Sequence, residues 1–343
     1  MHYFFIRCSL ALLVACCFTS GCSNKEESNR AITFNGLTMG TTYNIKINNY
    51  PDVLDYVPIK NEIDKILNQV NQQMSTYQED SELSLLNQTN STEWQDISGD
   101  LYDVITTAIK ISQLSHGAFD VTVGPLVNLW GFGPRGEPEI IPSESTIQSM
   151  LKNVGYSFLH THKSLPALKK DIEYLYIDLS GIAKGFAVDK VALFLEQLEI
   201  RDYMIEIGGE IKAKGVNPKG KFWTIGIEAP INNKRLVQHI VALENNSIAT
   251  SGDYRNYFEN NGTRYSHIIN PVTGKPITHN LASVTVIHSS TMIADALATA
   301  MLVMGPDSGM QLAKQENMAV LFITKEKNGF IEQMTDTFKT LIQ

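Results

Sequence analysis

The sequence predicts an α+β fold on three observations: apolar residues at helical spacing early in the chain, a strand-rich stretch between residues 203 and 288, and helical spacing again beyond residue 290. That order lacks the strand–helix alternation of a doubly wound parallel sheet. With 343 residues, 43% hydrophobic and 19% charged, the chain has globular composition, which excludes disorder throughout. Its formal charge of −8 argues against nucleic acid as a partner, since such binding draws on Lys and Arg to neutralise phosphates. A phosphorylated ligand would need a metal ion or aligned backbone N–H groups to offset the repulsion.

Residues 1–21 read as a lipoprotein signal peptide: a short start bearing Arg7, an apolar run over residues 10–15, and small residues at 19–21 ahead of Cys22. The segment is too short to span a bilayer. Cys22 is then the lipidated first residue of the mature chain, which predicts a bacterial envelope protein anchored to a membrane and facing the periplasm. Cys16 fits the cleavage box locally but leaves an unusually short apolar core, and an ordinary cleaved secretory signal is the remaining alternative. All four cysteines lie in the first 22 residues, so the folded part has no intramolecular disulfide, thiolate metal site or cysteine nucleophile. Residues 22–31 form a polar tether. Residues 32–343 read as one domain, with no long linker, low-complexity block or repeat.

Within the domain, residues 41–47 alternate as a strand, and Ile59, Ile63, Ile66, Val70 and Met74 recur at helical spacing. Leu101, Val104, Ile105, Ala108 and Ile109 mark a second helix and residues 183–198 a third. Runs at 203–207, 222–227, 236–243 and 281–287 read as strands between Gly, Pro and Asn turns, and helices return at 291–304 and 307–316. The string running from Gly131 to Gly136 satisfies the dinucleotide pattern G-x-G-x-x-G. Pro134 and Pro138 break the helix that must follow it, so it carries no Rossmann site.

Several segments are too particular for routine core. Asp178 closes an alternating run from Tyr174, and Ser180-Gly181 opens a helix whose first N–H groups have no intrahelical partner; that end either receives an anion or is capped by Ser180. Asp295 and Thr299 stand four apart on a helix that is apolar nearly all round, so a carboxylate and a hydroxyl project from one face. Such hard oxygens favour Mg²⁺ over zinc or copper, and a buried Asp needs a partner; a solvated helix face is the plainer alternative. His267 could act as general base or could simply pack. Pro271-Val272-Thr273-Gly274 reads as a tight turn, and residues 250–255 as a loop rich in donors.

In this order, Met39-Gly40-Thr41, Met74-Ser75-Thr76-Tyr77, the stretch from Gly117-Ala118-Phe119-Asp120 to Gly133, Asp178-Leu179-Ser180-Gly181 and the run from Ala294 to Thr299 resemble the ApbE family of FAD:protein FMN transferases. The likeness runs from Met39 to about Gly305. It implies a single mixed domain that moves FMN from FAD, a substrate, onto a Thr or Ser of a target protein with the help of Mg²⁺. The resemblance assigns Met39, Tyr77, Ala118, Phe119, Asp120, Asp178, Lys184 and Ile269 to the FAD site, Tyr77 and Met39 packing against its flat rings. It assigns Gly181 through its carbonyl, with Asp295, Ala298 and Thr299, to the magnesium neighbourhood, and leaves His267 or a site Asp as base. It further implies acceptor subunits of membrane redox complexes, such as sodium-translocating NADH:quinone reductase. Lys184 stands where some members carry Glu, and Asn270 where many carry Asp. An FAD pyrophosphatase and a non-catalytic FAD-binding lipoprotein are the competing functions.

Overall fold

Alternation on Thr41–Ile47 and Tyr203–Ile207, and buried apolar runs on Leu281–His288 and Ala319–Glu326, go into an eight-stranded, wholly antiparallel sheet in the order Ile32–Thr38, Thr41–Ile47, Tyr203–Ile207, Glu210–Lys214, Ser247–Gly252, Leu281–His288, Ala319–Glu326 and Gly329–Met334. The computed structural model describes residues 31–134, 136, 141–230, 236–253, 257–260, 263–327 and 329–342. The signal peptide, Cys22 and all of the tether but Ala31 lie outside the described residues. Among the described residues no helix is long and apolar enough to cross a membrane.

One face of the sheet carries the helices Tyr56–Met74, Gly99–Leu114, Ala183–Gln197 and Thr291–Gln315 over the main core. Phe34, Tyr43, Ile45, Ile205, Ile207, Val284 and Phe322 are the sheet's contribution, at alternate positions along their strands. The other face is covered over only part of its width. There the hairpin Trp223–Glu228 with Val237–Leu243 packs Trp223, Ile227, Val241 and Leu243 against Ile248, Ile287, Leu321 and Phe338. The fold class is therefore the α+β predicted.

Several local expectations shift. The strand at 41–47 and that at 203–207 match, but the first helix seats Leu67 where Ile66 was expected, and Ile66 is only partly buried. The two late helices, by contrast, form as expected within Thr291–Gln315, separated at Gly305, whose φ of 80° precedes Pro306. The run ending at Asp178 is not a strand. Asn87 takes the place of a strand neighbour, its side chain accepting from Ile177 N at 2.8 Å and donating to Ile177 O at 2.8 Å. The helix after it begins at Ala183, and its N-cap position is Ile182, so Ser180 is not the cap. Residues 250–252 belong to the strand Ser247–Gly252 and not to a loop, and Tyr254 and Arg255 lie outside the described residues. The 271–274 turn forms as expected, with Gly274 N donating to Asn270 O at 2.8 Å.

Candidate active site

The two helices Ala183–Gln197 and Thr291–Gln315 cap each other. Asp295 of the late helix accepts from Gly185 N at 3.0 Å, in the first turn of the earlier one. Asp189 of the earlier helix accepts from Thr291 N at 3.1 Å, Met292 N at 3.0 Å and Ser290 Oγ at 2.7 Å at the start of the late one. Each carboxylate thus satisfies orphan N–H groups at the positive end of the other helix. The helices must also touch closely, because a Cβ at Gly185 would come within 2.4 Å of the Thr291 carbonyl oxygen. The anion expected at the 180s helix is therefore supplied by the chain itself, as Asp295.

This reciprocal lock delivers Asp295 and Thr299 to the edge of a cavity of about 780 Å³, in the size range of cofactor sites. Tyr77, Ala118, Phe119, Asp120, Asp178, Gly181, Lys184, His267, Ile269, Asp295 and Thr299 all line it, drawn from both ends of the chain. Thr299 Oγ1 lies 3.0 Å from Ser251 Oγ, and a Cβ placed on Gly181 would stand 3.5 Å from Thr299 Oγ1, so Gly181, Thr299 and the central sheet converge. Two expected members do not line the cavity. Met39 sits in the first hairpin turn at φ 49° and packs against the main core, leaving Thr41 and Thr42 of that hairpin at the cavity. Ala298 is fully buried in the main core beside Thr299.

Two buried carboxylates flank a partly buried lysine in the cavity. Lys184 Nζ lies 3.6 Å from Glu210 Oε1 and 3.9 Å from Asp295 Oδ2. Burial pushes both carboxyls above the usual carboxylate range, opposed by the Lys184 charge, while the two carboxylates hold the Lys184 ammonium above its ordinary value despite its own burial. Glu210 Oε2 is buried without a hydrogen-bond partner among the described residues. Glu210 went unnoticed in the sequence. The Gly208-Gly209 pair marks a hairpin, which sets Glu210 across from Ile207 and so on the buried face; that was the available signal. A Cβ on Gly208 would come within 3.2 Å of Lys184 Cδ, so the glycine leaves room for the lysine stem.

The other polar groups are tied to the backbone. Asp120 accepts from Thr122 N at 2.8 Å, Thr122 Oγ1 at 2.7 Å and Tyr156 N at 2.8 Å, and its burial raises its pKa. Asp178 accepts from Ser180 N at 2.8 Å and Ser180 Oγ at 2.5 Å. Tyr77 is 67% exposed at the mouth, its phenol raised by partial burial and by the Asp178 charge. His267 follows the strand Thr263–Ser266 and meets Phe132 edge-on, ring centroids 6.3 Å apart. Phe132 in turn joins Phe258, Tyr265 and Trp130 in an aromatic stack behind the cavity wall.

Among the described residues no three His, Cys, Asp or Glu side chains converge as a metal cage. The donors that line the cavity together, the Asp295 carboxylate, the Thr299 hydroxyl and the Gly181 backbone, suit a hard ion that takes its remaining ligands from water or phosphate, as Mg²⁺ does. They do not suit zinc or copper.

Size, hard oxygens and an aromatic wall define a cavity that suits a large ligand with flat parts together with a hard cation. The chain belongs to the ApbE family, whose model matches residues 39–322. It is 46% identical to an FAD:protein FMN transferase of Vibrio cholerae, over 97% of this chain and 98% of the relative. It is 43% identical to one of Haemophilus influenzae, over 98% and 97% of the two chains. The solved flavin transferase ApbE of Vibrio cholerae superposes with a TM-score of 0.85 at 46% identity, over 91% of this chain and 99% of that one. The apo flavinyl transferase ApbE of Pseudomonas stutzeri gives 0.84 at 39% identity, over 91% and 96%.

Proposed function

We propose that this protein transfers FMN from FAD to a Thr or Ser hydroxyl of an acceptor protein and releases AMP. One observation carries the reading: in a member of this family, two interlocked helices bring Asp295, Thr299 and Lys184, with Gly181 just ahead of the first, to a single cavity large enough for a dinucleotide. Asp120, Asp178, Glu206, Glu210, Glu228 and Asp295 all line that cavity, against one lysine among the described residues. A diphosphate entering it needs a cation.

Asp295, Thr299 and the Gly181 carbonyl would hold Mg²⁺, which when bound neutralises charge on the diphosphate. Lys184 adds a fixed positive charge beside them, kept protonated by Glu210 and Asp295. Tyr77 covers a flat ring at the mouth, and Phe119 and Phe132 form apolar wall. His267 takes the proton of the acceptor hydroxyl; the oxygen bonds to the FMN phosphorus as the bond from that phosphorus to the AMP phosphate oxygen breaks. Replacement of Asp by Asn at 270 does not disturb the adjoining turn, since Asn270 Oδ1 accepts from Val272 N at 2.9 Å and Thr273 N at 3.2 Å.

The acceptors we propose are subunits of membrane redox complexes, reached by a chain tethered through lipid on Cys22 and facing the periplasm. Support for the tether is the sequence of residues 1–31. Mass spectrometry of the membrane-extracted protein tests it: a diacylated Cys22 at the N-terminus is expected, and an unmodified terminus elsewhere refutes it. For the reaction, the full chain in mild detergent is incubated with FAD, Mg²⁺ and a candidate acceptor. A mass gain of one FMN on the acceptor is expected. Free FMN and AMP with an unlabelled acceptor would make the protein a pyrophosphatase, and intact bound FAD would make it a carrier.

A further inference from the structure

Beside the cavity, and sharing Ile225 and Gly226 with it, runs a second groove of about 830 Å³. Its floor continues the cavity's own. Thr42 and Glu206 line the cavity, while Lys46 and Met204 line the groove, and these four alternate on the same exposed face of two paired strands, Lys46 opposite Met204. The charge reverses along the way. Lys46, Lys219 and Lys221 line the groove and no carboxylate does; among the described residues none of the three has an ion-pair partner.

The backbone beneath two of the lysines is fixed. The turn that carries two of them is held by Asn217, whose Oδ1 accepts from Lys219 N at 2.8 Å and whose Nδ2 donates to Phe222 O at 3.1 Å. Phe222 is 41% exposed beside them. The strand Trp223–Glu228 spans groove and cavity. It is paired along one edge only, with Val237–Leu243, among the described residues. Such an edge can accept an added extended strand.

Resting on the transferase reading, we infer that this groove docks the acceptor: an extended segment lies along the strand Trp223–Glu228, with acidic side chains on Lys46, Lys219 and Lys221 and its hydroxyl residue in the cavity. From Thr224 in the groove to Glu228 in the cavity is an extended span, so the acidic residues sit about four or more residues from the hydroxyl. A protein that is acidic overall thereby sets a positive patch beside the entry of its own site.

The test uses the full chain in mild detergent and short fluorescein-labelled peptides. Each peptide carries one Thr with, about four to six residues away, Asp, Asn or Lys. At low ionic strength the Asp peptide should bind about tenfold more tightly than the Asn peptide by fluorescence anisotropy. K46E/K219E/K221E should abolish that preference and favour the Lys peptide, a gain that an unfolded variant could not show. FAD affinity, read by flavin fluorescence, should be unchanged in the same variant. Equal binding of Asp and Asn peptides, or a preference untouched by the triple change, overturns the proposal. So does a variant that loses only its association with phosphatidylglycerol vesicles, which would make the groove a lipid contact. The Asp preference without AMP release from FAD under any acceptor would instead sink the transferase reading and leave the groove standing.

Discussion

The acidic cavity and the basic groove adjoin along one strand, yet they are built by opposite means. The deepest cavity charges, Asp295 and Glu210, are buried, and Asp295 is held at a helix end by Gly185 N at 3.0 Å. Groove charges are exposed on a turn and a strand face, with no described partner. Buried charges cost several kcal/mol when a partner is removed, whereas exposed ones contribute about 1 kcal/mol or less. Changes in the cavity should therefore reach turnover or folding, and changes in the groove should affect only the acceptor.

The largest effect is expected from Asp295→Asn, which keeps an oxygen for Gly185 N but removes the charge. AMP release from FAD should fall roughly 10³-fold with circular dichroism unchanged. Near-normal turnover would break the contrast at its centre. Next, Gly185→Ala forces a Cβ against the Thr291 carbonyl and should cost about 1–3 kcal/mol in urea unfolding. Asp189→Asn, which weakens the cap at Ser290, Thr291 and Met292, should cost about 1–2 kcal/mol and lower turnover through the displaced late helix.

A smaller signature is one of pH. Glu210 and Asp295 bind protons more tightly folded than unfolded, so their contribution is greatest in acid and is lost as pH rises from the ordinary carboxylate range through the raised values. Lys184, raised as well, loses its contribution only in strong alkali. Without divalent ions the melting temperature should fall between mildly acidic and mildly alkaline pH, and Glu210→Gln should flatten that fall. Smallest of all, Lys219→Gln should raise the acceptor KM roughly two- to threefold and leave kcat alone.

How much of this was legible in the sequence depended on distance along the chain. Asp295 and Thr299 could be read as one face because a helix repeats every few residues, and the burial of Asp295 followed from the apolar residues around it. The alternation ending at Asp178 had the period of a strand, but its hydrogen-bond partner is the Asn87 side chain, which no local pattern announces. Ile66 and Leu67 are both apolar, so which of them faces the core is set by the packing of the helix. The exchange between Asp189 and Asp295 joins two helix starts about a hundred residues apart and lies beyond any periodicity. Glu210 was within reach through the Gly208-Gly209 hairpin; the basic groove was not, since Lys46 meets Lys219 and Lys221 only through sheet pairing.

The central claim is that the diphosphate is split by a protein hydroxyl and not by water. Counting AMP released against FMN bound covalently to the acceptor, in the presence of Mg²⁺, tests it directly. A ratio of one AMP per acceptor-bound FMN is the expected result; AMP released in excess with FMN free in solution would contradict it.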